Sequence, residues 1–125
     1  MPFLQAAEIF SFRRADYRLL SPLAWGSKAI TVRGAGKGLT RLHLQHTGIG
    51  FDFNQNNALN KVVLRDFSAY AESTVGQTAA VARLTFPVVP SFGYVSAFIS
   101  DIECFGYPNP VGGPPFPQSF LAALY

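Results

Sequence analysis

The chain has 125 residues, enough for one domain with a sizeable core. Only 14% of its side chains are charged, against about 25% in ordinary soluble domains, while 49% are hydrophobic and 14% aromatic. An isolated monomer of this size needs a more charged surface, so much of the surface is expected to be covered by other subunits, the alternative being a compact monomer coated with uncharged Ser, Thr, Asn and Gln.

The formal charge of +3 is unevenly spread. Residues 1–41 carry seven of the ten bases and only two acids, Glu8 and Asp16, a local balance of +5 that leaves −2 for the remainder. Arg13, Arg14 and Arg18 are the first choice for contact with nucleic acid or an acidic partner, although a scatter of solvated charges explains them more simply. The single Cys104 excludes an intramolecular disulfide, and its alternation with Ile102 predicts a buried thiol acting as a small hydrophobe. The first ten residues lack the basic and apolar regions of a secretory signal.

Residues 3–14 (FLQAAEIFSFRR) suit a short helix or arm leading into a strand. Ser21, Pro22 and Gly26 then mark a loop. Residues 28–33 (KAITVR) alternate as a strand with Ile30 and Val32 inward. The glycine-rich run Gly34 to Gly38 is not a phosphate loop: Lys37 is followed by Gly38 and Leu39, with no Ser or Thr and no helix signal. It reads as a hairpin loop.

In residues 39–46 (LTRLHLQH), Thr40, Leu42 and Leu44 face inward and Arg41, His43 and Gln45 outward. His43 and His46 are three apart, hence on opposite faces, and do not chelate one metal together. Residues 48–53 (GIGFDF) put Ile49, Phe51 and Phe53 on one face, their glycines marking a bulge or a close backbone approach. The polar turn at residues 54–60 (NQNNALN) is explained by the turn preference of Asn. Asn54, Asn56 and Asn57 beside Phe51 and Phe53 also make it a possible ligand turn, for a sugar held by amides and aromatic stacking.

Residues 61–67 (KVVLRDF) predict a strand with Val63, Arg65 and Phe67 opposed to Val62, Leu64 and Asp66. Residues 68–77, where Tyr70 alternates with Glu72 and Thr74, suit an exposed edge or loop. The densest apolar stretch runs from residue 77 to 105. Pro87 and Pro90 forbid a continuous or membrane-spanning helix there. Residues 92–99 are apolar on both faces and predict a central strand covered on both sides. Asp101 and Glu103 then share a strand face about 6–7 Å apart, a spacing open to paired-carboxylate chemistry but adequately explained as a solvated strand end.

Residues 106–118 (GYPNPVGGPPFPQ) are too rich in Pro and Gly for helix or sheet and predict an extended segment. From Cys104 to the terminus no side chain is charged. A disordered tail is usually charged and poor in apolar residues, so this one is expected to lie against a groove or a neighbouring subunit.

The expected architecture is all-β: an antiparallel β-sandwich or jelly-roll-like single domain, with strands and turns every 8–12 residues. Residues 1–27 form an N-terminal arm or short helix and loop, 28–105 the sandwich core, and 106–125 the extended tail with its apolar end. No nucleophile elbow, metal-ligand spacing or cofactor motif is present, so neither enzymatic activity nor a cofactor is predicted. The expected function is that of a structural subunit of a symmetric self-assembling particle, with virion or extracellular location favoured: a capsid, decoration or tail protein of a virus or bacteriophage. Copies of itself and other structural subunits are its partners, and Phe3, Phe10, Phe12, Tyr107, Phe116, Phe120, Leu121, Leu124 and Tyr125 are the interface candidates. A carbohydrate- or ligand-binding β-sandwich module is the alternative.

Overall fold

The computed structural model describes residues 8–26, 28–55, 61–85, 96–106 and 120. Nine strands account for most of them: β1 (Glu8–Ser11), β2 (Ala15–Leu19), β3 (Leu23–Trp25), β4 (Ile30–Arg33), β5 (Thr40–Leu44), β6 (Ile49–Asn54), β7 (Lys61–Ala71), β8 (Ala80–Thr85) and β9 (Ser96–Phe105). Every strand pairing between them is parallel. The expected antiparallel sandwich is therefore incorrect.

The pairing registers define the winding instead. Phe10 lies beside Val32, Val32 beside Leu64, and Leu64 beside Ile99, in steps of 22, 32 and 35 residues. Tyr17, Leu42, Ala69 and Cys104 form a second such row, and Leu23, Phe51 and Ala82 a third. Each circuit of the chain thus returns to the same place one strand further along. The molecule is a parallel β-solenoid whose coils are β1–β2–β3, β4–β5–β6, β7–β8 and β9. Six strands form one curled parallel sheet, β1-β4-β7-β5-β2 with β9 also on β7, and β3-β6-β8 form the other. A parallel pair needs a crossover of a dozen residues or more; here the crossover from β4 to β7 runs through two further strands.

Period-two alternation reports which side chains face inward, but not which strand lies alongside. Ile30 and Val32, Thr40, Leu42 and Leu44, and Phe51 and Phe53 all point inward as their alternation predicts. The same alternation and the same Gly-rich corners serve a hairpin or a solenoid equally. The run Gly34 to Gly38 is a corner of the solenoid, since β4 and β5 each pair with β7 and not with one another. Gly36 and Gly38 have φ of 143° and 76° there, values that suit glycine.

Two acidic residues turn the long strands. Asp66 has φ 64° and Asp101 φ 53°, a left-handed conformation that Asp tolerates better than most residues. The bend at Asp66 shifts the alternation, so Phe67 goes inside with Val62 and Leu64, contrary to the expected opposition. It also extends β7 through residues 68–71, where an edge or loop was expected. The bend at Asp101 sits between Ile99 and Ile102 in the same way, which puts Asp101 at a corner rather than beside Glu103 on a flat strand face.

The interior is filled by Phe12, Leu19, Ile30, Val32, Leu42, Leu44, Phe51, Phe53, Val62, Leu64, Phe67, Ala69, Val81 and Ala82. Its aromatic centre is Phe51, whose ring meets Phe12, Trp25, Phe53 and Phe67. Burial of each large side chain is worth about 1.5–3 kcal/mol, and the Trp25–Phe53 stack, at 5.3 Å and 12°, ties the first two coils together on the third side. Gly50 permits the close approach of coils expected there: a Cβ at this position would lie 2.5 Å from the Val81 carbonyl oxygen.

The expected central strand is not central. β9 pairs with β7 along one side, and no described strand lies on its other side. Phe98 is 55% exposed, with the Lys61 ammonium 4.2 Å from its ring centre, and Cys104 is exposed rather than buried. Residues 86–95, with both prolines, lie outside the described residues. β1, β2 and β3 belong to the first coil, so residues 8–25 are part of the solenoid, whereas residues 1–7 lie outside the described residues. Among the described residues no helix is long and apolar enough to cross a membrane.

Candidate functional site

The second side of the solenoid is built from β2, β5, the latter half of β7 and the latter half of β9. Because these strands are parallel and in register, their outward residues form rows along the solenoid axis. One row is Asp16, Arg41, Ser68 and Glu103; the next is Arg18, His43, Tyr70 and Phe105. In the second row the His43 and Tyr70 rings stack at 5.0 Å and 14°, and Tyr70 and Phe105 at 4.9 Å and 15°.

His43 is the hub. Its Nε2 is 2.8 Å from Oδ1 of Asp16, and its Nδ1 is 2.6 Å from Oε2 and 3.0 Å from Oε1 of Glu72. Only an imidazolium donates from both nitrogens at once. Partial burial lowers the His43 pKa, but the hydrogen bonds to Asp16 and Glu72 outweigh it and the net shift is upward. Asp16 is shifted downward, first by its hydrogen bond to His43 and further by Arg41. Arg41 grips the same carboxylate as a fork, Nε at 2.9 Å from Oδ1 and Nη2 at 3.0 Å from Oδ2.

These groups border an open groove of about 490 Å³ lined by Asp16, Arg18, His43, Gln45 and Glu72. It crosses three coils: Asp16 and Arg18 come from the first, His43 and Gln45 from the second, and Glu72, the residue after β7, from the third. Among the described residues, no group of three or more His, Cys, Asp or Glu is arranged to hold a metal ion.

Of the residues singled out by sequence, Arg18 lies in this groove. Arg13 and Arg14 are exposed at the corner between β1 and β2, where the Arg13 backbone bonds with the Tyr17 hydroxyl. Phe12 is in the core, Phe10 packs on Phe12 and Trp25 while 42% exposed, and Phe120 is half-buried against the core, its backbone in a parallel bridge with Thr78. Phe3, Tyr107, Phe116, Leu121, Leu124 and Tyr125 lie outside the described residues, as do Asn56 and Asn57; Asn54 is exposed at the end of β6. Asp101 lies 4.0 Å from the Lys37 ammonium, and Glu103 accepts from the Ser68 hydroxyl at 3.4 Å. His46 stands apart from His43, its Nδ1 accepting from the Gly48 amide, and burial lowers its pKa.

The cluster around His43 escaped sequence reasoning as a cluster. The outward direction of Arg41, His43 and Gln45 was legible from alternation, and so was the shared face of Tyr70 and Glu72. Their juxtaposition with Asp16 depends on a parallel register between segments about 25–30 residues apart, which leaves no local signal.

The chain matches no known family model, and no characterised protein and no solved structure matches it either.

Proposed function

We propose that the chain is a structural module that assembles with copies of itself, the β9 edge of one copy taking the β1–β2 edge of the next. The observation that carries this reading is the state of β9. Its core-facing Ile99 is 39% exposed, and Phe98 and Phe105 are 55% and 41% exposed. A solenoid needs a polar cap on a terminal coil or a further coil stacked upon it, and an apolar edge strand such as β9, with no described strand on its other side, is a template for pairing.

The opposite end offers the complementary surface. β1 and β2 occupy the same two sides of the solenoid as the two halves of β9, and β1 carries Ile9 at 61% and Phe10 at 42% exposure. Stacking β1–β2 of one copy on β9 of another continues the same parallel winding. Such a head-to-tail contact generates a ring or a filament according to whether its rotation closes. The 14% charge content fits a surface largely covered by neighbours. A virion component, whether capsid, decoration or tail protein, is the particle this reading favours.

Light scattering on the purified chain tests it. The expected mass is many times the 13.6 kDa of one chain. Ile99→Lys on β9 should reduce that mass to one chain with an unchanged β-sheet spectrum, whereas Val75→Lys, at an exposed site away from both edges, should leave it unaltered. A monomer at every concentration would overturn the proposal.

A further inference from the structure

The groove on the second side has a polarity that points to a ligand. Arg41 is spent on Asp16, and His43 is shared between Asp16 and Glu72. The Arg18 guanidinium makes no ion pair or hydrogen bond among the described residues, and neither does the side-chain amide of Gln45. With Arg18, Arg41 and His43 positive against Asp16 and Glu72 negative, the uncompensated charge is the Arg18 guanidinium. It stands at the first-coil end of the groove, and the Glu72 carboxylate at the third-coil end. Neighbouring strands are about 4.8 Å apart, so the backbones of β2 and β7 are separated by about 10 Å, and the Glu72 carboxylate reaches back to 2.6 Å from His43 Nδ1.

A ligand matching that lining carries an anionic group at one end and hydroxyl donors at the other. A planar carboxylate suits the guanidinium fork of Arg18. Hydroxyl groups suit the free lone pairs on Glu72 and the two-way amide of Gln45, which both donates and accepts. A small inorganic anion is poorly suited, because Asp16 and Glu72 repel it. A neutral sugar leaves Arg18 unanswered. A volume of about 490 Å³ lies within the range of small-ligand sites. We infer that this groove binds a short acidic glycan, with the carboxylate of a sugar acid on Arg18 and sugar hydroxyls on Gln45 and Glu72.

The groove borders the end-to-end contact proposed above, since Asp16 and Arg18 lie on β2; the inference does not rest on that contact, and binding should persist in the Ile99→Lys variant. Calorimetric titration of the full chain tests it with three probes: a disaccharide containing glucuronic acid, cellobiose as its neutral counterpart, and inorganic sulfate. The acidic disaccharide should bind at least tenfold more tightly than either of the others. Arg18→Ala should weaken it about tenfold or more with the unfolding midpoint unchanged, and Arg18→Lys should restore part of the loss. Gln45→Ala should weaken the disaccharide and leave sulfate as it was. Equal affinity for cellobiose would overturn the role of the carboxylate. Sulfate binding as tight as the disaccharide would reduce the groove to a simple anion site, and no heat from any probe at millimolar concentration would overturn the inference outright.

Discussion

The imidazole of His43 places Nδ1 2.6 Å from Oε2 of Glu72, joining the second coil of the solenoid to the third just past β7. Through its other nitrogen the same ring reaches Asp16 of the first coil. One charged ring therefore bridges three successive coils, and its protonation is linked to their stability.

The sign of that linkage follows from the direction of the shift. His43 has a pKa raised above its ordinary 6.5, so the folded state holds the proton more tightly than the unfolded chain. The contribution is full below the unfolded value and is lost as pH rises through the folded one. Asp16 is shifted the other way, below 3.8, and its contribution is lost as pH falls through its folded value. His46, whose pKa burial lowers, adds stability as pH rises toward 6.5, so thermal unfolding should give its maximum midpoint near pH 6.5 and a decline above neutrality. His43→Gln should flatten the alkaline decline. A wild-type midpoint that does not change from about pH 6.5 to about pH 9 would exclude the bridge as a stabilising element.

Close coil-to-coil approach is tested at Gly50. Its added Cβ would meet the Val81 carbonyl oxygen at 2.5 Å and Leu44 Cδ2 at 2.7 Å, the first of them backbone that cannot swing aside. Gly50→Ala should cost about 1–3 kcal/mol. Gly26, where a Cβ would meet nothing within 4 Å, is the control: Gly26→Ala should change denaturant midpoints little.

Asp66 holds a left-handed backbone at the corner of β7, with φ 64°. Asp66→Ala should destabilise by about 1–2 kcal/mol, since alanine has no side-chain group to compensate that conformation. Asp66→Gly removes the steric strain and should be better tolerated, although it also loses the 2.6 Å contact with Arg65. Urea titrations of the two variants should rank glycine above alanine; the reverse order would show that the corner does not depend on a left-handed residue.

Phe51 is fully buried and touches four other aromatic rings. Phe51→Ala should cost about 3–5 kcal/mol, a large share of the stability of a domain this size. Phe51→Leu, which keeps most of the volume, should retain the fold at a smaller loss, measurable by the same titrations.

The sequence by itself determined the local facts: that the chain is made of strands, where most of them lie, and which side chains they turn inward. Ile30, Val32, Leu42, Leu44, Phe51 and Phe53 were legible because inward and outward positions alternate with a period of two within a single strand. The site was legible only in pieces, as outward Arg41, His43 and Gln45 on one segment and Tyr70 with Glu72 on another. Tertiary structure alone decided that β4 lies parallel to β7 and not antiparallel to β5, that Phe67 turns inside after the bend at Asp66, and that Asp16, His43 and Glu72 converge. The physical reason is one of range. Side-chain alternation is set by the pleat of each strand, whereas the choice of neighbour is set by backbone pairing between segments 22 to 35 residues apart, and parallel and antiparallel neighbours bury the same inward residues equally well.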